Sequence, residues 1–216
     1  MSIIKQIEAH EKEVRLGLKP SNLQFCIFCN EPSRSLKRHE VRHRILYFII
    51  KYYVYRKEVV LCRWKCIVCK KTFTYYPEYS LPYKRYVKSA IVWFSALYLN
   101  NAEISYMKAV KHSFNVIVHK DDEQTKQSEF NSTTVWRWQS FLSSLIKLEQ
   151  KALQLIREST SESTVFRESY SINRQKYRSQ DRKAQLLKAL KLLKVEETFR
   201  SIFRATIFPQ FASRYV

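Results

Sequence analysis

Residues 59–86, VVLCRWKCIVCKKTFTYYPEYSLPYKRY, decide how this chain is read. The stretch carries Cys66-x2-Cys69 at the end of a strand-like run, followed by basic residues, aromatics and two prolines. A second pair, Cys26-x2-Cys29, lies upstream, so four of the five cysteines fall in pairs of identical spacing. A structural zinc site takes four ligands in a tetrahedron, and each CxxC supplies two thiolates from one tight turn. Cys26, Cys29, Cys66 and Cys69 are therefore the expected ligands of a structural Zn2+. Such an ion replaces the core that a small β unit cannot build alone. A redox role needs a thiolate at a helix N-terminus in a βαβ setting, and the pattern here lacks that setting.

Other thiol and imidazole arrangements are weaker. Cys26-x2-Cys29 followed by His39-x3-His43 imitates a classical finger, but its middle spacing is short and it would orphan Cys66 and Cys69. Both histidines are read as surface residues in a basic strip. Cys62, four residues before Cys66, is read as a core thiol and a spare ligand. The residue after the second cysteine of such a turn favours a left-handed backbone, which Asn30 tolerates and Lys70 tolerates less well. The long gap between the pairs implies an inserted hairpin or loop around 47–55.

Lys and Arg number 39 against 19 Asp and Glu, a formal net charge of +20. That excess needs a counter-surface, because self-repulsion opposes a compact state. Nucleic acid is the leading candidate, through counterion release at each neutralised phosphate; an anionic membrane surface is second. Gly17 is the one glycine, so neither a dinucleotide fingerprint nor a P-loop can be written. The N-terminus turns charged within a few residues, unlike a secretory signal. The longest apolar runs, around 45–50 and 90–99, fall short of the ~20 residues that span a bilayer. The expectation is a cytoplasmic, nucleoid-associated protein with reduced thiols and no membrane partner.

The periodicity predicts an α+β chain: a small four-cysteine zinc ribbon of short antiparallel strands, then a mostly α-helical helix-turn-helix region and a C-terminal helix. A helix over 3–16 ends at Gly17 and Pro20. Segment 23–30 and the Ile-, Val- and Tyr-rich run 45–62 read as strands, and 72–76 as a last short strand closed by Pro77. A helix is expected from Tyr83 to Asn100–Asn101, another over 104–113, an extended loop over 115–131, and a third helix from Ser132 towards Ile156. Residues 159–180 read as a linker or a frayed helix, followed by a final amphipathic helix that Asp181 caps and Leu186, Leu187, Leu190, Leu193 and Val195 stripe. The expected domains are an N-terminal helix (1–22), the ribbon (23–82), a helical DNA-binding domain (83–158), and a linker with the C-terminal helix (159–216).

Basic residues crowd 34–71, including Arg34, Lys37, Arg38, Arg42, Arg44, Arg63, Lys65, Lys70 and Lys71, with Glu40 and Glu58 opposing them. Interleaved with tyrosines and Trp64, they suit phosphate contact; most of the aromatics are expected in the ribbon core. Helices 104–113 and 132–145 have the proportions of a helix-turn-helix, whose second helix enters the major groove. Thr133, Thr134, Arg137 and Gln139 are the polar residues on its first turns, arginine suiting guanine edges and glutamine adenine. Arg63, Lys65, Lys70, Lys71, Lys84 and Arg85 complete the candidate DNA contacts. Trp136, Trp138, Phe141 and Leu142 are expected in the core.

These residues carry a resemblance. Arg63-Trp64-Lys65-Cys66-Ile67-Val68-Cys69, Thr72-Phe73, Pro77, Leu81-Pro82-Tyr83, Arg85-Tyr86 and the downstream Ser132-Thr133-Thr134-Val135-Trp136-Arg137-Trp138 resemble the zinc-ribbon and helix-turn-helix N-terminal region of bacterial insertion-sequence transposases. A related group of stand-alone proteins shares it. The resemblance covers about 23–148 and implies sequence-directed binding to double-stranded DNA, as at the ends of a mobile element. A transposase catalytic domain needs three separated carboxylates on a mixed sheet. The chain has three aspartates, Asp121, Asp122 and Asp181, two of them adjacent, so no enzyme is expected. The expected function is a zinc-dependent DNA-binding protein of mobile-element type. The alternatives are an adaptor whose C-terminal helix contacts a partner transposase or a second copy of the chain, and an RNA-binding protein.

Overall fold

The computed structural model describes residues 2–50, 53–111, 118–120, 131–160, 162–172 and 179–212. The fold is α+β, and its residues fall into two compact units. One lies within 1–49, 55–88 and 209–216, the other within 50–54 and 89–208.

The first unit begins with α1 (Ile3–Arg15), capped by the Ser2 side chain. Gly17 has a φ of 70°, its N–H donates to Val14, and the Leu18 N–H reaches back to Glu13. That is the Schellman ending expected of a C′ glycine. Ile7, His10 and Val14 form the buried face. Segment 23–30 makes no strand; its extended pairing is limited to a bridge between Phe25 and Pro32, because the chain turns sharply around the first cysteine pair.

Two long strands follow, β1 (Leu36–Ile50) and β2 (Tyr53–Cys66), then β3 (Thr72–Tyr75). The inserted hairpin is there, but β1 starts well before the Ile-rich run. Its first half is charged and exposed, and strand pairing rather than β-propensity holds it extended. β3 runs antiparallel to β2 with Trp64 opposite Phe73. Both are almost fully buried, on a face shared with Leu36, Cys62, Cys66, Leu23 and Val14.

Two corrections concern this unit. The expected helix from Tyr83 begins only at Lys88, as α2 (Lys88–Asn100). Tyr83 has a φ of 63°, and the segment after it is clipped beside β1: the Tyr47 N–H donates to Arg85 and the Val87 N–H donates to Tyr47. The chain end also returns. β5 (Phe211–Ala212) pairs antiparallel with β3, giving the order β1-β2-β3-β5.

The second unit holds α3 (Tyr106–Val110), the short strand β4 (Val118–Lys120), α4 (Ser132–Ser143), α5 (Ile146–Ser159) and α6 (Gln180–Phe203). Most of the expected loop over 115–131 lies outside the described residues. The helix expected from 132 to 156 is two helices. Ser143 and Ser144 turn their hydroxyls onto the carbonyls of Ser140 and Phe141, and the N–H groups of Ser144 and Leu145 bond three residues back, which ends α4. Ser179, rather than Asp181, caps α6. α6 packs against α4 and α5. Of the expected apolar stripe, Leu186, Leu190, Leu193 and Val195 are buried there and Leu187 is exposed, so most of it is spent inside the unit.

Candidate metal centre and DNA-contact residues

The two cysteine turns repeat one geometry. The Cys26 N–H donates to Glu31 and the Cys66 N–H to Lys71, five residues on in each case. The residue after each second cysteine is left-handed, Asn30 at φ 58° and Lys70 at φ 61°. β2 ends on Cys66, and the Ile67 N–H donates to Ser35, tying the second turn to the chain that follows the first.

The four sulfurs lie within 4.8 Å of one another. Cys26 and Cys69 are 3.8 Å apart, and Cys29 and Cys66 are 3.7 Å apart. A disulfide needs about 2.05 Å, so neither pair is bonded. A tetrahedron with metal–sulfur bonds of about 2.3 Å has edges of about 3.8 Å. The sulfur set thus has the size of a four-thiolate metal cage.

Its electrostatics point the same way. Burial opposes ionisation of Cys66, but the Cys69 and Val68 N–H groups and the neighbouring thiols outweigh it and draw the thiol down to about 7. At Cys29 a hydrogen bond from Glu31 favours the thiolate; desolvation and the three other thiols prevail and push it up to about 12. Cys66 is thus the readier thiolate and Cys29 the more resistant one, and a divalent cation bound by both would favour the thiolate at each. Cys62 stands outside the cluster, and burial raises its thiol to about 11. His39 and His43 are exposed and also outside it; His43 lies 3.4 Å from Glu58.

The expected DNA contacts fall on both units. In the first, Arg63 donates to the Thr72 hydroxyl at 2.6 Å and Lys65 is half-buried on the same strand. Lys70 and Lys71 are exposed on the second cysteine turn, Lys71 lying over the Phe28 ring. Lys84 is half-buried, and that burial lowers its pKa. Arg85 is exposed on the clipped segment.

In the second unit α3 packs on α4. Thr133 and Arg137 are exposed and Thr134 is half-buried. Asn131 caps the helix and accepts from both the N–H and the hydroxyl of Thr133. Gln139 is a correction: it is fully buried, and its amide oxygen accepts from Tyr106 at 2.7 Å and Arg182 at 3.1 Å. It braces helices instead of reaching a base. Trp136 is corrected the other way, 46% exposed with the Arg182 guanidinium 4.8 Å above its ring.

Arg182 is the residue that sequence reasoning misses. It is buried at the start of α6 and donates to Ser140, Gln185, Tyr106 and Gln139, while Tyr106 stacks on Tyr98 at 3.9 Å. One side chain thereby links α3, α4 and α6. An arginine opening a lysine-rich helix carries no sequence signal of that role.

No family model, curated protein or solved structure matches this chain. Among the described residues, no helix is long and apolar enough to cross a membrane.

Proposed function

We propose that this chain is a zinc-stabilised DNA-binding protein of mobile-element type. The observation that carries the reading is the set of four cysteine sulfurs within 4.8 Å of one another, on a chain with a net charge of +20. Four thiolates at metal–sulfur distances near 2.3 Å suit Zn2+, which has no redox chemistry and accepts a closed tetrahedral shell. Cys26, Cys29, Cys66 and Cys69 hold the ion, which fixes the cysteine turns against the sheet. The α3–α4 pair, with Thr133 and Arg137 exposed, supports a helix-turn-helix mode of contact with double-stranded DNA. The burial of most of the α6 stripe favours this reading over an adaptor role.

Metal analysis and a DNA titration test this reading together. One equivalent of zinc per chain is expected, with DNA affinity that falls steeply with salt. Much less than one equivalent, or an affinity indifferent to salt, overturns it.

A further inference from the structure

In the first unit, four guanidiniums surround one cleft of about 470 Å³. Arg42 and Arg44 come from β1, Arg63 from β2, and Arg85 from the segment clipped beside β1. Thr72, Thr74, Tyr76 and Tyr83 add hydroxyls to its lining, and among the described residues no acidic side chain lines it.

The sheet explains the convergence. Arg63 stands opposite Thr74 in register, and Trp64 opposite Phe73 points the other way, into the core beneath the cysteine turns. One face of β2 and β3 is thus spent on the core and the other on polar groups. Arg42 and Arg44 are two residues apart on β1, about 6.8 Å along a strand, close to the separation of neighbouring phosphates on a nucleic-acid strand.

The guanidiniums are already positioned for oxyanions. Glu40 accepts from Arg42 at 2.9 Å and lies 3.6 Å from Arg63, and the Arg42 hydrogen bond, opposed by desolvation, holds its carboxyl below the usual range. Arg44 donates to the Tyr76 hydroxyl and Arg63 to Thr72. Paired and forked, such arginines match phosphate oxygens better than lysines do.

We infer that this cleft grips consecutive backbone phosphates of a nucleic-acid strand, with Glu40 as the internal competitor that a phosphate displaces. The inference rests on the DNA-binding reading and assigns its main electrostatic contact to the sheet of the first unit rather than to α4. Arg42 and Arg44 then belong beside Arg63 and Arg85 in the contact surface, and the contact itself reads no base sequence.

The test measures affinity of the full zinc-loaded chain for a mixed-sequence duplex across a salt series. Three variants are compared: Arg42→Gln/Arg44→Gln/Arg85→Gln, the same three positions changed to Lys, and Glu40→Gln. The Gln set is expected to reduce the slope of log affinity against log salt by about 2–3, at about 0.9 for each phosphate no longer neutralised. The Lys set is expected to keep most of that slope, and Glu40→Gln to tighten binding several-fold, an effect that weakened packing would not produce. An Arg85→Gln single variant, at an exposed site, gives the same reading with a slope change of about 1 should the triple variant fail to fold. A folded Gln set with the parent slope overturns the inference while leaving DNA binding by α4 intact. If the parent binds no duplex but takes up inorganic pyrophosphate, and the Gln set does not, the cleft is a small-anion site and both readings fall.

Discussion

Lys70 holds a backbone conformation that its side chain disfavours. With φ at 61° it sits where an L residue with a Cβ costs about 1–2 kcal/mol, and glycine gives back part of that gain through its freer unfolded state. Lys70→Gly should therefore stabilise the first unit by about 0.5–1 kcal/mol, seen as a higher unfolding midpoint with unchanged zinc content. Asn30→Gly should gain less, because asparagine tolerates this region. A loss of stability in Lys70→Gly would show that the lysine makes an interaction worth more than the strain. Cys62 gives a second contrast at this scale. Cys62→Ala should keep one zinc per chain and Cys66→Ser should lose it, since Cys62 lies outside the sulfur cluster. The clustering of the four cysteines was legible because paired CxxC spacing presents thiols in matching turns, as a metal site requires. Gln139 was not, because a polar residue on the first turns of a helix faces solvent or core according to a helical phase that tertiary packing sets.

Elements show where propensity fails. The first half of β1 is rich in Lys, Arg and His and carries no strand signal, yet pairing extends it from Leu36. Tyr83 to Val87 has helical periodicity in sequence, but a left-handed turn at Tyr83 and hydrogen bonds joining Arg85 and Val87 to Tyr47 keep it out of the helix, and this moves Arg85 from a helix start to the arginine cleft. The docking of α1 carries its own pH dependence. Burial lowers the pKa of His10 from 6.5, although the Val60 carbonyl, Glu13 and Glu11 pull upward, and the Tyr75 and Tyr79 rings cover it. A histidine with a lowered native pKa leaves the unfolded chain to take the proton first. Its stabilising share is thus complete above about 6.5 and is lost as pH falls below that value. Thermal midpoints at pH 7.5, 6.0 and 5.0 should drop more for the parent than for His10→Gln, whose amide can still bond to Val60. Parallel curves for the two proteins would remove His10 from the account.

At the scale of the whole molecule, the two units rest on different chemistry. The helical unit has apolar helix packing and the Arg182 cluster, a buried guanidinium held by neutral acceptors. Arg182→Met should cost that unit about 1–3 kcal/mol in urea unfolding, by removing the hydrogen bonds to Ser140, Tyr106 and Gln139 that join the helices, and leave zinc content unchanged. The first unit has a core in which Cys26 and Cys66 are themselves buried members beside Trp64 and Phe73. With zinc bound as proposed, its removal would leave Cys29, Cys66 and their neighbours as thiols, with Cys29, despite its hydrogen bond from Glu31, pushed up to about 12 by desolvation and the other thiols. Chelation should unfold the first unit selectively. By hydrogen exchange, backbone amides of β1, β2 and β3 should lose protection after treatment with a strong zinc chelator, while those of α4, α5 and α6 keep theirs. Simultaneous loss in both units would mean that they fold as one cooperative body, and no loss in either would mean that the metal is not structural.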